Sequence, residues 1–203
     1  MISVKQISKN NEYQIVISKS KFIAYSFVVQ NLDDVENMLQ DMSKKFADAT
    51  HICYAYKFGG FEKFCDDGEP QGTAGKPILD CIKKQSITNV LVAVVRYFGG
   101  IKLGAGRLVR AYSNATSGVL QLSGAEVKVK CKKVTFAIDI SKIKLANKLK
   151  NYPQIKNFAI DFLQLPKCEF FCQESDLDFV LLQINNLFKT KILVDISKTD
   201  YYV

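Results

Sequence analysis

The stretches DDGEPQGTAGKP (residues 66–77) and RYFGGIKLGAGRLVRAY (residues 96–112) decide how this chain is interpreted. Ten of the eleven glycines lie between Gly59 and Gly118. Glycine costs backbone entropy wherever no special geometry requires it, so a packed core does not need such a concentration. Glycine-rich loops that open onto helices, with Arg and Lys around them, are typical of surfaces that hold an anion.

The residues around the two stretches predict alternating strands and helices. Runs of β-branched and aromatic residues predict strands over 13–17, 22–29 and 52–58, and helical spacing of apolar residues predicts a helix over 32–46. A long functional loop over 59–76 is expected to follow, then a helix that starts at Pro77. The run 90–98 is apolar until Arg96 and predicts a central strand covered on both faces. A helix over 103–122 should bury Leu108, Val109, Tyr112, Ala115, Val119 and Leu120.

The pattern changes near Lys130, which predicts two domains, 1–130 and 131–203. In the second, we expect strands over 134–140, 158–163, 168–172 and 192–196, and helices over 143–152 and 176–188. This β-α-β-β-α-β order is the ferredoxin-like motif. The chain as a whole is therefore expected to be an α+β protein.

The formal charge is +8, and its distribution is uneven. Twelve Lys and Arg lie between Arg96 and Lys150, opposed only by Glu126 and Asp139. Such a stretch is either a solvated surface or an electrostatic footprint for RNA or another polyanion.

Composition excludes several other classes of protein. No apolar run approaches the ~18 residues of a membrane span, and the first residues show no apolar export signal, so we expect a cytoplasmic protein with no membrane partner and reduced cysteines. His51 is the sole histidine and no CxxC occurs, so we expect neither a metal site nor another cofactor.

Neither glycine-rich stretch is a standard nucleotide motif. GTAGKP has Pro70 and Pro77 where a P-loop needs Gly and Ser or Thr, and GAGRLV has Val109 in place of the third glycine of a dinucleotide fingerprint.

The predicted helix start near residue 103 is nevertheless a candidate anion site. Gly104 and Gly106 allow close approach to backbone N–H groups, and Arg107 lies in the first turn, where the helix dipole disfavours a cation unless an anion is bound. Further cations and one aromatic residue complete the candidate binding set, which is Arg96, Tyr97, Lys102, Gly104, Gly106, Arg107 and Arg110. The alternative is that these arginines are solvated or paired with nearby carboxylates. Phe98 and Tyr112 could also stack on bases but are expected in the core.

Asp66, Asp67 and Glu69 form a carboxylate cluster in the first stretch. They could act as acid and base, but a DDGEP run is more often a turn whose Glu pairs with an Arg. His51 and Cys53 alternate onto one strand face, which leaves a Cys–His pair open as an alternative catalytic site. The loop motif as a whole comprises Asp66, Asp67, Gly68, Glu69, Pro70, Gly72, Thr73, Gly75 and Lys76.

These motifs resemble those of the Impact/YigZ family. SKSKFIAYSFVV (18–29), DATHICYAY (48–56) and both glycine-rich stretches carry the resemblance, and the second half resembles the bacterial two-domain branch by element order. Two departures are Lys63-Phe64-Cys65, where many members have small or polar residues, and Arg107, where Gly is frequent.

The resemblance implies a first domain similar to domain IV of elongation factor G, with a left-handed β-α-β crossover, and a second similar to its domain V. The eukaryotic members are similar to regulators of translation under amino-acid starvation. We therefore interpret the chain as a translation-associated protein that binds RNA, the ribosome or a translation factor through a basic, Gly-rich cleft. The alternatives are a hydrolase-type enzyme that uses Asp66, Asp67 or Glu69 with His51, and a protein-binding regulator of a translation stress pathway.

Overall fold

The computed structural model describes residues 3–162 and 165–203, which form two compact units. The first unit is Lys5–Val127, and the second contains Lys128–Val203 together with Ser3 and Val4. Within the described residues, no helix is long and apolar enough to cross a membrane.

The first unit is a five-stranded antiparallel sheet with three helices. Its strands are β2 (Asn11–Ile17), β3 (Ser20–Val28), β4 (His51–Phe58), β5 (Phe61–Cys65) and β6 (Val90–Tyr97), and its helices are α1 (Leu32–Lys45), α2 (Gly75–Lys84) and α3 (Ala105–Ser123). The strand order is β2-β3-β6-β4-β5. Because β3 and β4 both run antiparallel to β6, they are parallel to each other, and α1 makes the crossover between them. The left-handedness of this crossover stays a prediction.

Two hydrophobic cores lie on opposite faces of this sheet. Val92 and Val94 of β6 pack with α2 and α3, whereas Ala93 and Val95 pack on the α1 face. Strand β6 is central and buried on both faces, as its apolar sequence predicts.

The second unit contains the predicted β-α-β-β-α-β order. Its elements are β7 (Ala125–Ala137, whose first three residues belong to the first unit), α4 (Ile143–Ala146) with flanking 3₁₀ turns, β8 (Lys156–Asp161), β9 (Lys167–Cys172), α5 (Leu177–Phe188) and β10 (Asp195–Tyr202). The strand order is β10-β7-β9-β8, and β1 (Ser3–Ile7) also pairs with β7. One core, which includes Phe136, Phe170 and Ile184, packs the helices on this sheet.

The structure corrects several predicted boundaries in the second unit. Strand β7 runs continuously through Lys130, so the pattern change there marks no loop. The helix predicted over 143–152 is a single α-turn between 3₁₀ segments, and the strand predicted over 192–196 lies at Asp195–Tyr202. Of the strand predicted over 158–163, the last residue, Leu163, lies outside the described residues.

In the first unit, the loop predicted over 59–76 contains a strand. Gly59 and Gly60 both have positive φ and join β4 to β5 as a two-residue hairpin, in which Phe58 pairs with Phe61. A two-glycine connection between apolar residues is a known hairpin signal, so this strand was predictable. Val109 is exposed and not part of the buried stripe of α3.

We predict that a fragment of residues 1–130 folds by itself, because it contains the whole of the first unit. Urea unfolding followed by circular dichroism should show one cooperative transition, with a smaller denaturant slope than the full chain because less surface becomes exposed. A fragment without a cooperative transition would show that the first unit depends on the second.

Candidate functional site

Asp66 holds the glycine-rich loop on the start of α2. Its Oδ1 accepts hydrogen bonds from the backbone N–H of Ala74 (3.1 Å) and Gly75 (2.8 Å), and its Oδ2 accepts one from Gly72 N–H (2.8 Å). These donors include amides that a helix leaves unpaired at its first turn. Asp66 therefore has a structural role as a side-chain cap.

Asp67 and His51 join the same loop to strand β4. The Asp67 carboxylate accepts from Ile52 N–H (2.6 Å), and the Asp67 carbonyl oxygen lies 2.7 Å from His51 Nδ1. Because a carbonyl only accepts, His51 carries its proton on Nδ1, and Nε2 is left as an acceptor in the neutral ring. The predicted Asp–His proximity is present, but the contact is to the backbone of Asp67 and not to its carboxylate.

Glu69 and Arg96 form a buried ion pair beneath the loop. Glu69 Oε1 lies 2.5 Å from Arg96 Nη1 and accepts a hydrogen bond from the Tyr112 hydroxyl (2.7 Å). The two charged side chains are only 3% and 6% exposed. The Arg96 guanidinium lies between the rings of Phe22 (5.4 Å) and Phe98 (5.6 Å). Arg96 is therefore not the exposed side chain that the sequence predicts, and Glu69 pairs with an Arg as a turn interpretation of DDGEP requires.

The buried thiol and phenol near this pair stay protonated. Burial raises the pKa of the Cys53 thiol and of the Tyr112 hydroxyl above their ordinary values. Cys53 Sγ donates to the Asp66 carbonyl (3.0 Å) and lies 3.4 Å from the Tyr112 hydroxyl. Cys53 therefore lacks the thiolate character that a Cys–His nucleophile needs.

A cavity of about 410 Å³ opens above the ion pair, which we call the α3 cavity. It lies between the turn formed by residues 67–70 (the DGEP turn), the end of β6 and the start of α3. Its lining residues are Thr50, His51, Gly68, Glu69, Pro70, Arg96, Phe98, Lys102, Leu103, Gly104, Ala105 and Leu108. Phe98 is 45% exposed and belongs to this wall, not to the core as expected, whereas Tyr112 is fully buried.

Three predicted cations surround the start of α3. Lys102, Arg107 and Arg110 are exposed, and none of them makes an ion pair within the part of the chain that the structure describes. The N-cap residue is Gly104, so no side chain caps the first turn, and Gly106 is exposed beside it. Lys102 and Gly104 line the α3 cavity, whereas Gly106, Arg107 and Arg110 are exposed on the first two turns of α3 and do not line it.

Three other predicted residues, Tyr97, Lys76 and Thr73, do not belong to this surface. Tyr97 faces the α1 side of the sheet, where its hydroxyl donates to Asp48 (2.9 Å). Consecutive strand residues point to opposite faces, so Arg96 and Tyr97 could not share a site. Lys76 forms an ion pair with Asp80 on α2 (2.5 Å), and the Thr73 hydroxyl donates a hydrogen bond to the Pro70 carbonyl (2.6 Å). Both side chains of the loop motif therefore have partners within the first unit.

Sequence reasoning missed Leu103 as a cavity wall, and it expected Phe98 in the core although it also named Phe98 as a residue that could stack on bases. Phe98 directly follows Tyr97, the last residue of β6, so its exposure depends on where strand pairing stops.

Within the described ranges, no group of His, Cys, Asp and Glu side chains could hold a metal ion.

Comparison with known proteins gives a consistent result over the first unit. The family model of the Impact N-terminal domain matches residues 18–120. The IMPACT family member YvyE of Bacillus subtilis is 43% identical over 114 residues, which is 55% of this chain and 52% of that protein. An IMPACT family member of Haemophilus influenzae is 35% identical over 151 residues, covering 72% of this chain and 73% of that protein. The chain thus spans about half the length of the Bacillus relative and more of the Haemophilus one.

A solved structure extends the likeness of fold to both units. The crystal structure of a hypothetical protein superposes with a TM-score of 0.69 at 23% identity, and covers 98% of this chain and 100% of that chain. At this identity the match concerns the fold alone.

Proposed function

Because this chain belongs to the Impact family, we propose that it is a translation-associated regulatory protein that binds RNA or an RNA-containing part of the translation apparatus. The observation that carries this proposal is a group of three exposed cations near the uncapped start of α3, none of which makes an ion pair with a described residue. We refer to Lys102, Arg107 and Arg110 as the α3 cations. A cytoplasmic location and the likeness to elongation-factor domains are part of the same proposal.

The position of the α3 cations favours an anionic partner. Unsatisfied N–H groups give a helix N-terminus a partial positive charge, so a cation in the first turn is disfavoured there. Arg107 lies in this turn and Arg110 follows one turn later on the exposed surface. A phosphate bound at the helix start would offset this repulsion and accept hydrogen bonds from the same amides.

The basic stretch continues into the second unit, where part of its charge is neutralised. Lys130 and Lys132 pair with Asp200, and Lys133 pairs with Glu169. Lys144, Lys148 and Lys150 are exposed and offer a second basic surface in that unit. Only the unneutralised lysines are expected to contribute to binding.

The enzyme alternative has less support from the geometry. Asp66 accepts three backbone hydrogen bonds, Asp67 accepts one, and Glu69 is paired with Arg96. Each carboxylate thus has a structural partner, which leaves His51 without a free acid or base beside it. An enzyme of this kind would lose ~100-fold or more of its turnover on replacement of His51, whereas the binding proposal predicts no such loss.

Binding of a single-stranded RNA oligonucleotide should fall steeply as salt rises, because Lys and Arg contacts release counterions. Lys102→Ala and Arg110→Ala should each reduce the slope of log K against log salt by about 0.7, the value of one contact to a single strand. Fluorescence anisotropy at a series of salt concentrations measures this slope.

The matched control is Lys44→Ala, since Lys44 is exposed on α1, which packs on the other face of the sheet. It should leave the slope unchanged. Salt-insensitive binding, or equal effects of Lys44 and Lys102 substitutions, would show that the α3 cations do not bind RNA. Capture of partners from lysate with and without RNase separates the two partner classes: survival of all partners after RNase would favour a protein-binding regulator.

A further inference from the structure

Arg96 leaves one buried donor without a partner at the base of the α3 cavity. Its Nη1 is paired with Glu69, but its Nε makes no hydrogen bond to any described residue, although the side chain is only 6% exposed. Buried polar groups are almost always satisfied, and each exception calls for an explanation. Arg96 lines the α3 cavity, but its Nε has almost no surface open to it, so an acceptor bound in the cavity would reach this N–H only after a small shift of the side chain.

Other donors converge on the same cavity from the start of α3. Gly104 and Ala105 line it, and the helix has no side-chain cap. Lys102 also lines it, and its ammonium group makes no ion pair with any described residue. A buried guanidinium edge, uncapped helix amides and an unpaired ammonium are together the donor set that binds phosphate.

Most of the remaining wall is apolar and partly aromatic, although Thr50 and Glu69, whose carboxylate is paired with Arg96, also line it. Phe98, Leu103, Leu108 and Pro70 line it, and the ring of His51 is fixed there by its hydrogen bond to Asp67. Bases stack on such aromatic side chains irrespective of sequence. A volume of about 410 Å³ lies in the range of pockets that hold one small organic ligand and exceeds what a phosphate alone would fill.

We propose that the α3 cavity binds one 5′-phosphorylated nucleotide unit, with its phosphate at the start of α3 and its base against Phe98. This inference rests on the proposed RNA-binding function and specifies where one nucleotide of the partner lies. A free mononucleotide and the 5′ end of an RNA strand share this chemistry. The α3 cations outside the cavity would then contact the phosphates that follow.

Titration of the full chain with adenosine 5′-monophosphate tests the proposal. Calorimetry measures the affinity, and the amide resonances of Ala105 and Gly106 show where the ligand binds. Saturable binding with shifts of these two amides is expected, and adenosine without phosphate should bind at least about tenfold more weakly because it cannot use the charged donors. Inorganic phosphate should compete, but weakly, since it lacks the stacked base.

Two surface variants address the two halves of the ligand separately. Phe98→Ala and Lys102→Ala should each weaken binding of the mononucleotide about tenfold, through loss of stacking and of a charged contact respectively. Phe61→Ala and Lys44→Ala replace exposed residues of the same types outside the cavity and should leave the affinity unchanged. Neither test variant removes a buried side chain, so both should fold.

The outcomes separate this inference from the proposed function. If an RNA oligonucleotide binds with the expected salt slope but adenosine monophosphate neither binds nor competes, the cavity assignment is wrong and the RNA-binding proposal stands. If neither ligand binds, both fail. A short peptide whose terminal carboxylate shifts Ala105 and Gly106 while the nucleotide does not would also overturn the assignment. A 5′-phosphorylated oligonucleotide that displaces the nucleotide better than its 5′-hydroxyl counterpart identifies the strand end as the source. Displacement by neither oligonucleotide identifies the free nucleotide, and equal displacement by both would contradict recognition of a 5′-phosphate.

Discussion

Glu69→Ala should lower the free energy of unfolding of the first unit by about 3–5 kcal/mol, because it leaves the Arg96 charge buried and unpaired. The substitution also removes the acceptor of the Tyr112 hydroxyl, which is buried and whose pKa is raised by burial, so the phenol cannot ionise to compensate. Urea unfolding of the wild type and the variant, measured at one pH, gives the difference.

Two further variants make this result interpretable. Glu62→Ala removes the carboxylate of an exposed ion pair with Lys83 in the same unit and should change stability little. The double variant Glu69→Leu with Arg96→Met replaces the buried pair by apolar side chains and should recover much of the lost stability, since such exchanges are often neutral. Equal effects of the Glu69 and Glu62 substitutions would contradict the view that the buried pair organises the DGEP turn.

Gly75→Ala should destabilise the first unit by about 3 kcal/mol, since the added methyl group meets backbone that cannot rotate away. A Cβ at this position would lie 2.6 Å from the carbonyl oxygen and 2.8 Å from the amide nitrogen of Cys65, on strand β5. The expected change is a lower midpoint of thermal unfolding, because α2 has to move away from β5.

Gly106→Ala is the matched control for this substitution. Gly106 also lies in the first turn of a helix, but no atom lies within 4 Å of a Cβ built there. Alanine is the better helix former, so this variant should be neutral or more stable by about 0.5–1 kcal/mol. If the Gly106 variant were destabilised and the Gly75 variant were not, the close backbone contact would lie at Gly106 and not at Gly75.

The parts of the fold that could be predicted from sequence are those whose side chains have a strong period. Apolar residues at helical spacing predict helix α1, and the structure has this helix, with an Asn31 N-cap that accepts a hydrogen bond from Asp34 N–H. Strand β6 is so apolar that only a central, doubly covered position suits it. The side chains of strand β5 are mostly exposed and show no alternation, so only the hairpin signal of Gly59 and Gly60 identifies this strand in the sequence.

The sequence predicts that the loop glutamate pairs with an arginine, but it does not predict which arginine this is. The motif identified Glu69 as a turn residue that pairs with an Arg, yet nothing local selects Arg96 over Arg107 or Arg110. That choice depends on the register of β6 in the sheet and on Tyr112 reaching the same carboxylate, which are tertiary facts. The cavity wall formed by Phe98 likewise depends on where pairing ends.

The central position of β6 has a consequence for the order of events during synthesis. Strand β6 separates β3 from β4, so the first sheet cannot close until a segment late in this unit has joined strands made much earlier. Pairing between distant segments requires loop closure before contacts form, which slows folding. Until then the hairpin of β2 and β3 has an open strand edge and an uncovered apolar face, so the nascent chain passes through a stage prone to aggregation.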